Sequence, residues 1–170
     1  DLAERLRDVK EIRPLLAAYA FITVGIGLKL ALFPLHQWLP NAYTFAPSMV
    51  TAFLSATATK VSVYVLLRFY FTVFGASKLF EGLPTADVLL ALSVAGMVTA
   101  SLVAVFQDDL KRMFAYSSVS QVAYITLGIS LANEAGLTAS IVHLLNHGIP
   151  KGAISLWIGG VALRGGVVSF

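Results

Sequence analysis

GLKLALFPLHQWLPNAYTFAPSMVTAFLSATATKVSVYVLLRF, residues 27–69, places a lysine and two prolines in one apolar stretch and a second lysine in the next. Lys29 and Lys60 are each flanked on both sides by residues suited to a lipid bilayer, and Lys151 repeats the pattern further on. A lysine at the centre of a membrane-spanning helix costs roughly 2.5–3.5 kcal/mol. Three such residues add up to several kcal/mol of unfavourable burial, which makes them the first candidates for function. Pro34 and Pro40 follow Lys29. Proline removes a backbone donor and clashes with the preceding turn, so the first stretch is expected to break just after Lys29. Broken helices survive in membranes where they line a cavity or are buried in protein.

The rest of the chain supports a membrane setting. It is 58% hydrophobic and 12% charged, with a mean hydropathy of +0.81. Soluble domains usually carry about 25% charged residues, and one soluble core of this size could not bury so much apolar surface. The formal net charge is +3, and no basic cluster interleaved with aromatics suggests nucleic-acid binding. The absence of cysteine rules out disulfides and thiolate metal sites.

A span needs about 20 predominantly apolar residues. Five stretches qualify, at about 14–38, 47–74, 84–106, 113–132 and 137–163, joined by short links at 41–46, 75–83, 107–112 and 133–136. Short links favour antiparallel neighbours. The predicted fold is an all-α polytopic membrane protein of about five transmembrane helices. Residues 1–13 are expected to be an interfacial or loop segment, with residues 14–170 forming the transmembrane part. The opening segment balances four basic against four acidic residues and reads as a connection within a longer membrane protein.

Polar residues inside the spans carry the candidate chemistry. Thr57, Lys60, Tyr64 and Arg68 share one arc of the second span, while Thr51, Ser55, Thr59 and Ser62 form a stripe suited to helix–helix packing. No acidic residue within the spans is placed to pair with Lys60. His143, His147 and Lys151 recur at intervals of four and stack on one face of the fifth span. Zinc binding is disfavoured, because no glutamate follows the first histidine and no third ligand lies nearby. A proton relay suits the set better, since imidazole titrates near neutrality and desolvation disfavours a buried ammonium. Hydrogen-bonded bridging between helices is the structural alternative. His36, between the two prolines, and Tyr64 are accessory candidates. A Schiff-base pigment would need a carboxylate counter-ion within the membrane, and none is present. Asp108, Asp109, Lys111 and Arg112 suggest a solvated turn.

Residues 27–69, together with DDLKRMFAYSSVSQVAYITLGI at 108–129 and HLLNHGIPKGAISLWIGG at 143–160, resemble the antiporter-like subunits. These are the large membrane subunits of respiratory complex I and of multisubunit Mrp-type cation/proton antiporters. The segment 42–60 looks closest to the D component of the Mrp-type antiporters, and the resemblance runs from about Gly25 to Gly160.

It implies a parent of about fourteen transmembrane helices containing two inverted five-helix repeats, of which this chain would be the seventh to eleventh helices. It also implies a mid-membrane proton path. Lys29 matches the lysine of the broken helix, Lys60 that of the following helix, and Lys151 the lysine bridging to a second half-channel. His143 and His147 match nearby polar positions. The family's glutamate partner for the Lys29 position and its terminal lysine or glutamate would lie on other helices. Pro150, next to Lys151, departs from the pattern and is expected to kink the fifth span.

The resemblance implies a proton-translocating subunit of a multisubunit cation/proton antiporter or NADH-quinone oxidoreductase-type complex, with no catalytic chemistry or cofactor of its own. Its partners would be other membrane subunits, lipid, protons and, as a candidate exchanged ion, sodium. Its expected location is the inner (plasma) membrane of a bacterium. The competing expectation is a scaffold subunit whose buried polar residues serve assembly.

Overall fold

The computed structural model describes residues 12–75 and 84–165. All but two positions of the expected 1–13 segment, and most of the 75–83 link, lie outside the described residues.

α1 (Ile12–Leu30) ends where the sequence predicts a break. Ala31 adopts φ 58°, a left-handed conformation that costs a residue bearing a Cβ about 1–2 kcal/mol. Two bonds close the end: Leu32 N donates to Gly27 O at 2.9 Å, and Ala31 N to Leu28 O at 3.2 Å. They match the Schellman pattern, which satisfies carbonyls that a helix end leaves free.

The chain then runs irregularly, with a cis Phe33–Pro34 bond, into α2 (Trp38–Phe45). The Trp38 indole donates to Leu28 O at 2.7 Å and ties the two half-helices together. Pro40 sits in the first turn of α2, where a missing N–H breaks no intrahelical bond. That placement overturns the expected 41–46 link: apart from Ala46 these residues are helical. The chain turns instead at Ala46 (ψ 149°), which is extended as the residue before Pro47.

The second span is continuous from Ser48 to Gly75. It comprises α3 (Ser48–Phe53), a π-helical stretch (Leu54–Ala58), α4 (Thr59–Leu67) and a second π stretch (Arg68–Gly75). α5 (Thr85–Val105), α6 (Leu110–Ser130) and α7 (Glu134–Gly165) follow. α6 and α7 both begin three residues before the predicted spans, because side chains cap them. Asp109 accepts from Arg112 N at 2.9 Å, and Asn133 accepts from Gly136 N at 2.7 Å. These bonds satisfy backbone donors that a helix start leaves free. Pro150 lies inside α7, which remains one helix across it.

Among the described residues, three helices are long and apolar enough to cross a membrane: Arg13–Leu30, Ser48–Gly75 and Thr85–Val105. α6 and α7 have the length but are more polar. For α6 the reason is packing, since it touches α2, α5 and α7 and buries Ser118, Ser120, Thr126 and Ser130 among its apolar residues.

Hydroxyl pairs and close backbone approach hold these helices together, the means available where lipid is as apolar as the side chains. Ser93 and Thr126 oxygens lie 2.7 Å apart, and those of Ser101 and Ser120 2.8 Å. Ser140 donates across the α6–α7 hairpin to Ile125 O at 2.8 Å. Gly128 and Gly136 face each other there; a Cβ on Gly128 would clash with Ser140 Oγ and lie 2.7 Å from Gly136 O. Gly128→Val should therefore destabilise the fold by about 1–3 kcal/mol, read as a lower Tm in detergent. Gly25→Ala, whose added Cβ meets nothing within 4 Å, should shift Tm far less.

Candidate functional site

α7 approaches the second span through small residues. A Cβ on Gly152 would lie 3.2 Å from Ala56 Cβ, and one on Gly148 would lie 3.4 Å from Ala56 O and 3.5 Å from Lys60 Cε. Ser55 and Ser155 hydroxyls meet at 3.1 Å in the same seam. The glycines at 148 and 152 form the small-xxx-small spacing that lets membrane helices come close. This close approach brings Lys60 against the face of α7 that carries His143, His147 and Lys151.

Lys60 Nζ donates to Ser55 O, a carbonyl within the first π stretch, and to Thr59 Oγ1 at 3.2 Å. A π turn bonds to the fifth residue rather than the fourth and so rearranges carbonyls locally. Lys151 is buried. Its Nζ donates to Phe114 O on α6 at 2.8 Å and lies 5.0 Å from the Phe114 ring centroid, within cation–π range. Both ammonium groups are thus held by backbone carbonyls, with no carboxylate in either set of contacts.

The histidines stack on the same face of α7. His143 and His147 rings are 6.3 Å apart and nearly parallel at 6°, as spacing of four on a helix requires. His143 also meets the Tyr124 ring at 6.0 Å. His147 is 7% exposed, and neither of its nitrogens has a protein hydrogen-bond partner; His143 Nε2 is likewise buried and unpartnered. Buried polar atoms of this kind usually find a partner, often an ordered water.

The remaining candidates lie elsewhere. Lys29 is exposed and lines an open groove of about 1080 Å³ between α1 and the second span, with Gly25, Thr57 and Val61. Lys60 leaves the same span from a different face. His36 stacks on Phe33 at 5.4 Å and meets Tyr116 edge-on at 6.4 Å, with Nδ1 buried and unpartnered. Tyr64 is 59% exposed. Among the described residues, no group of three or more His, Asp or Glu could hold a metal ion.

The two carbonyl acceptors and Phe114 are not legible in the sequence, because backbone groups leave no residue-type signal. The Gly148–Gly152 spacing is the available clue to the close approach.

A family profile described as "NADH:quinone oxidoreductase/Mrp antiporter, TM" matches residues 4–168. NADH-quinone oxidoreductase subunit N of Desulforudis audaxviator is 42% identical over 167 residues, 98% of this chain and 33% of that protein. NADH-quinone oxidoreductase subunit M of Rhodobacter capsulatus is 37% identical over 135 residues, 79% of this chain and 26% of that protein. Among solved structures, the Mrp complex from Dietzia sp. DQ12-45-1b contains a chain with a TM-score of 0.80 and 33% identity, covering 87% of this chain and 27% of that one. The chain thus spans a third or less of each of these relatives.

Proposed function

This chain belongs to the NADH:quinone oxidoreductase/Mrp antiporter transmembrane family, and from that premise we propose that it carries the central section of a proton path in a larger membrane subunit. One observation carries the reading. Lys60, His143, His147 and Lys151 lie where the second span, α6 and α7 meet, and both His147 nitrogens and His143 Nε2 are buried with no protein partner. Ionisable groups inside a membrane protein are costly and commonly mark ion pathways. Here neutral imidazoles can accept a proton at one nitrogen and donate at the other. A proton enters as a charge on one member, and repulsion among like charges drives its release from the next.

Lys29 enters this reading as the modulated end of the path. Its groove is open and mostly apolar, a face that a further helix would cover. A carboxylate on that helix would stabilise the Lys29 ammonium when close and release it when withdrawn. The parent subunit would sit, multi-pass, in a bacterial plasma membrane beside other membrane subunits, moving protons alone or in exchange for sodium.

The scaffold reading also has a specific observation in its favour. Lys60 and Lys151 both bond backbone carbonyls, and Lys151 thereby links α7 to α6. The two readings diverge under substitution in the full-length subunit within its complex. Lys29→Ala should lower proton-coupled flux in reconstituted vesicles by about tenfold or more, equivalent to ~1.4 kcal/mol in a barrier, with assembly intact on native gels. Unchanged flux would refute its place in the path. Lys60→Met should likewise depress flux in assembled complex; loss of the assembled band with normal flux per remaining complex would favour the scaffold.

A further inference from the structure

A second groove opens on a different face of α1 from Lys29, walled by α1, the break after it, Tyr70 of the second span and the start of α5. Its volume is about 720 Å³, within the roughly 300–1,000 Å³ usual for ligand sites. Its wall is mostly apolar, and among the described residues that line it none is charged. Leu16, Val24 and Val88 on its rim are exposed, so the groove is open sideways.

Four hydroxyl-bearing side chains line it. Three of them pair with one another: Tyr19 Oη donates to Tyr70 Oη at 3.1 Å, and Thr23 Oγ1 lies 3.3 Å from the same oxygen. The fourth, Thr85, is 4% exposed, and its Oγ1 has no partner. Buried hydroxyls are normally hydrogen-bonded, and a bond left unmade is costly. Thr85 opens α5, a helix of 21 residues. That length is about 31 Å, the thickness of the hydrocarbon core of a bilayer. Thr85 therefore stands where hydrocarbon gives way to the polar region of the lipid. From there the groove runs inward to Phe33, which packs on Gly96; a Cβ on that glycine would lie 2.9 Å from Phe33 Cβ. Gly96 is about 16 Å further along α5 than Thr85.

We propose that this groove seats one acyl chain of a membrane lipid, whose ester carbonyl accepts a hydrogen bond from Thr85 Oγ1 while the chain lies against Leu89 and Leu92 down to Phe33. The proposal stands apart from the proton-path reading and does not depend on it.

One polar anchor at the surface end of an apolar slot is the pattern that an amphiphile matches. A helix laid over the groove would use its backbone groups internally and offer Thr85 no backbone acceptor. The site reads the ester and not the charge of the headgroup. No lysine or arginine is among the described residues that line it, and the first turn of α5 carries Asp87, which repels a phosphate.

The test uses the full-length subunit in its assembled complex, reconstituted in vesicles containing phosphatidylcholine with a photoreactive diazirine near the end of one acyl chain. Illumination followed by peptide mass spectrometry should place adducts around Phe33, Leu35 and Leu92. Thr85→Val keeps the shape and removes the hydroxyl, and should cut that labelling about fivefold, the range of one hydrogen bond; Thr85→Ser should restore it. Ala20→Trp fills the groove from α1 and should nearly abolish labelling there, with adducts on the outer face of α7 unchanged. Phosphatidylglycerol carrying the same diazirine should label equally well. Labelling by the anionic lipid alone would overturn recognition through the ester, and labelling unaffected by Thr85→Val would overturn the anchor. Absence of adducts in the groove, while the outer face of α7 is labelled, would mean that protein covers it and would overturn the site. A high-resolution structure of the unmodified complex decides independently of how the variants fold. Chain-like density from Thr85 to Phe33 supports the proposal, and a helix in that position refutes it.

Discussion

The bilayer interior supplies no water, so each carbonyl freed by a helix end and each buried ammonium must be met from within the protein. Most of the local architecture follows from that constraint. At the break after Leu30 the left-handed Ala31 lets Leu32 and Ala31 amides satisfy the last turn of α1, and the Trp38 indole adds a donor to Leu28 O. The lysines face the opposite problem, too many donors. They solve it by taking carbonyls: Ser55 O in a π stretch and Phe114 O near the start of α6. The acceptor for Lys60 thus comes from irregular backbone, and that for Lys151 from the first turns of a regular helix.

Close approach is the second requirement. A lysine on one helix reaches a histidine-bearing face on another only if the backbones are near. The glycines at 148 and 152, with Ser55 and Ser155 between the helices, provide that nearness. The same device recurs at the hairpin between α6 and α7, where Gly128 and Gly136 leave room for Ser140 to bond Ile125 O. Hydroxyl pairs then hold the register that apolar packing in lipid would leave free.

Much of this is legible in the residues, and the exceptions share a cause. The break follows from Pro34 and Pro40, and the stacking of His143, His147 and Lys151 follows from spacing alone. The 41–46 segment reads as a link because Pro40 signals a stop, whereas in a first turn it is compatible with a start. The starts of α6 and α7 fall earlier than hydropathy places them, because the caps Asp109 and Asn133 are polar. The arc joining Lys60 to Tyr64 and Arg68 holds as helical geometry, yet Tyr64 and Arg68 are exposed while Lys60 turns to α7. Periodicity gives the face of a residue; which neighbour covers that face is a tertiary fact.

Lys29 and Lys60 sharpen the point. They lie on successive elements, but Lys29 opens into the groove beside α1 while Lys60 points away from it toward α7. Any influence of one on the other must cross the second span. That span is suited to carry it, because Thr57, Ala58 and Val61 line the groove, while Ser55, Ala56 and Lys60 line the α7 seam. The two sets interleave within the π stretch and the first turn of α4. A π turn holds one more residue than an α turn. Reversion of that stretch to α geometry would rotate the residues beyond it relative to those before it. Ser55 O and Lys60 Nζ sit on opposite sides of that junction, so their bond is the contact most directly strained by such a change. The geometry that meets the Lys60 ammonium thus lies in the stretch of helix that separates the groove face from the histidine face.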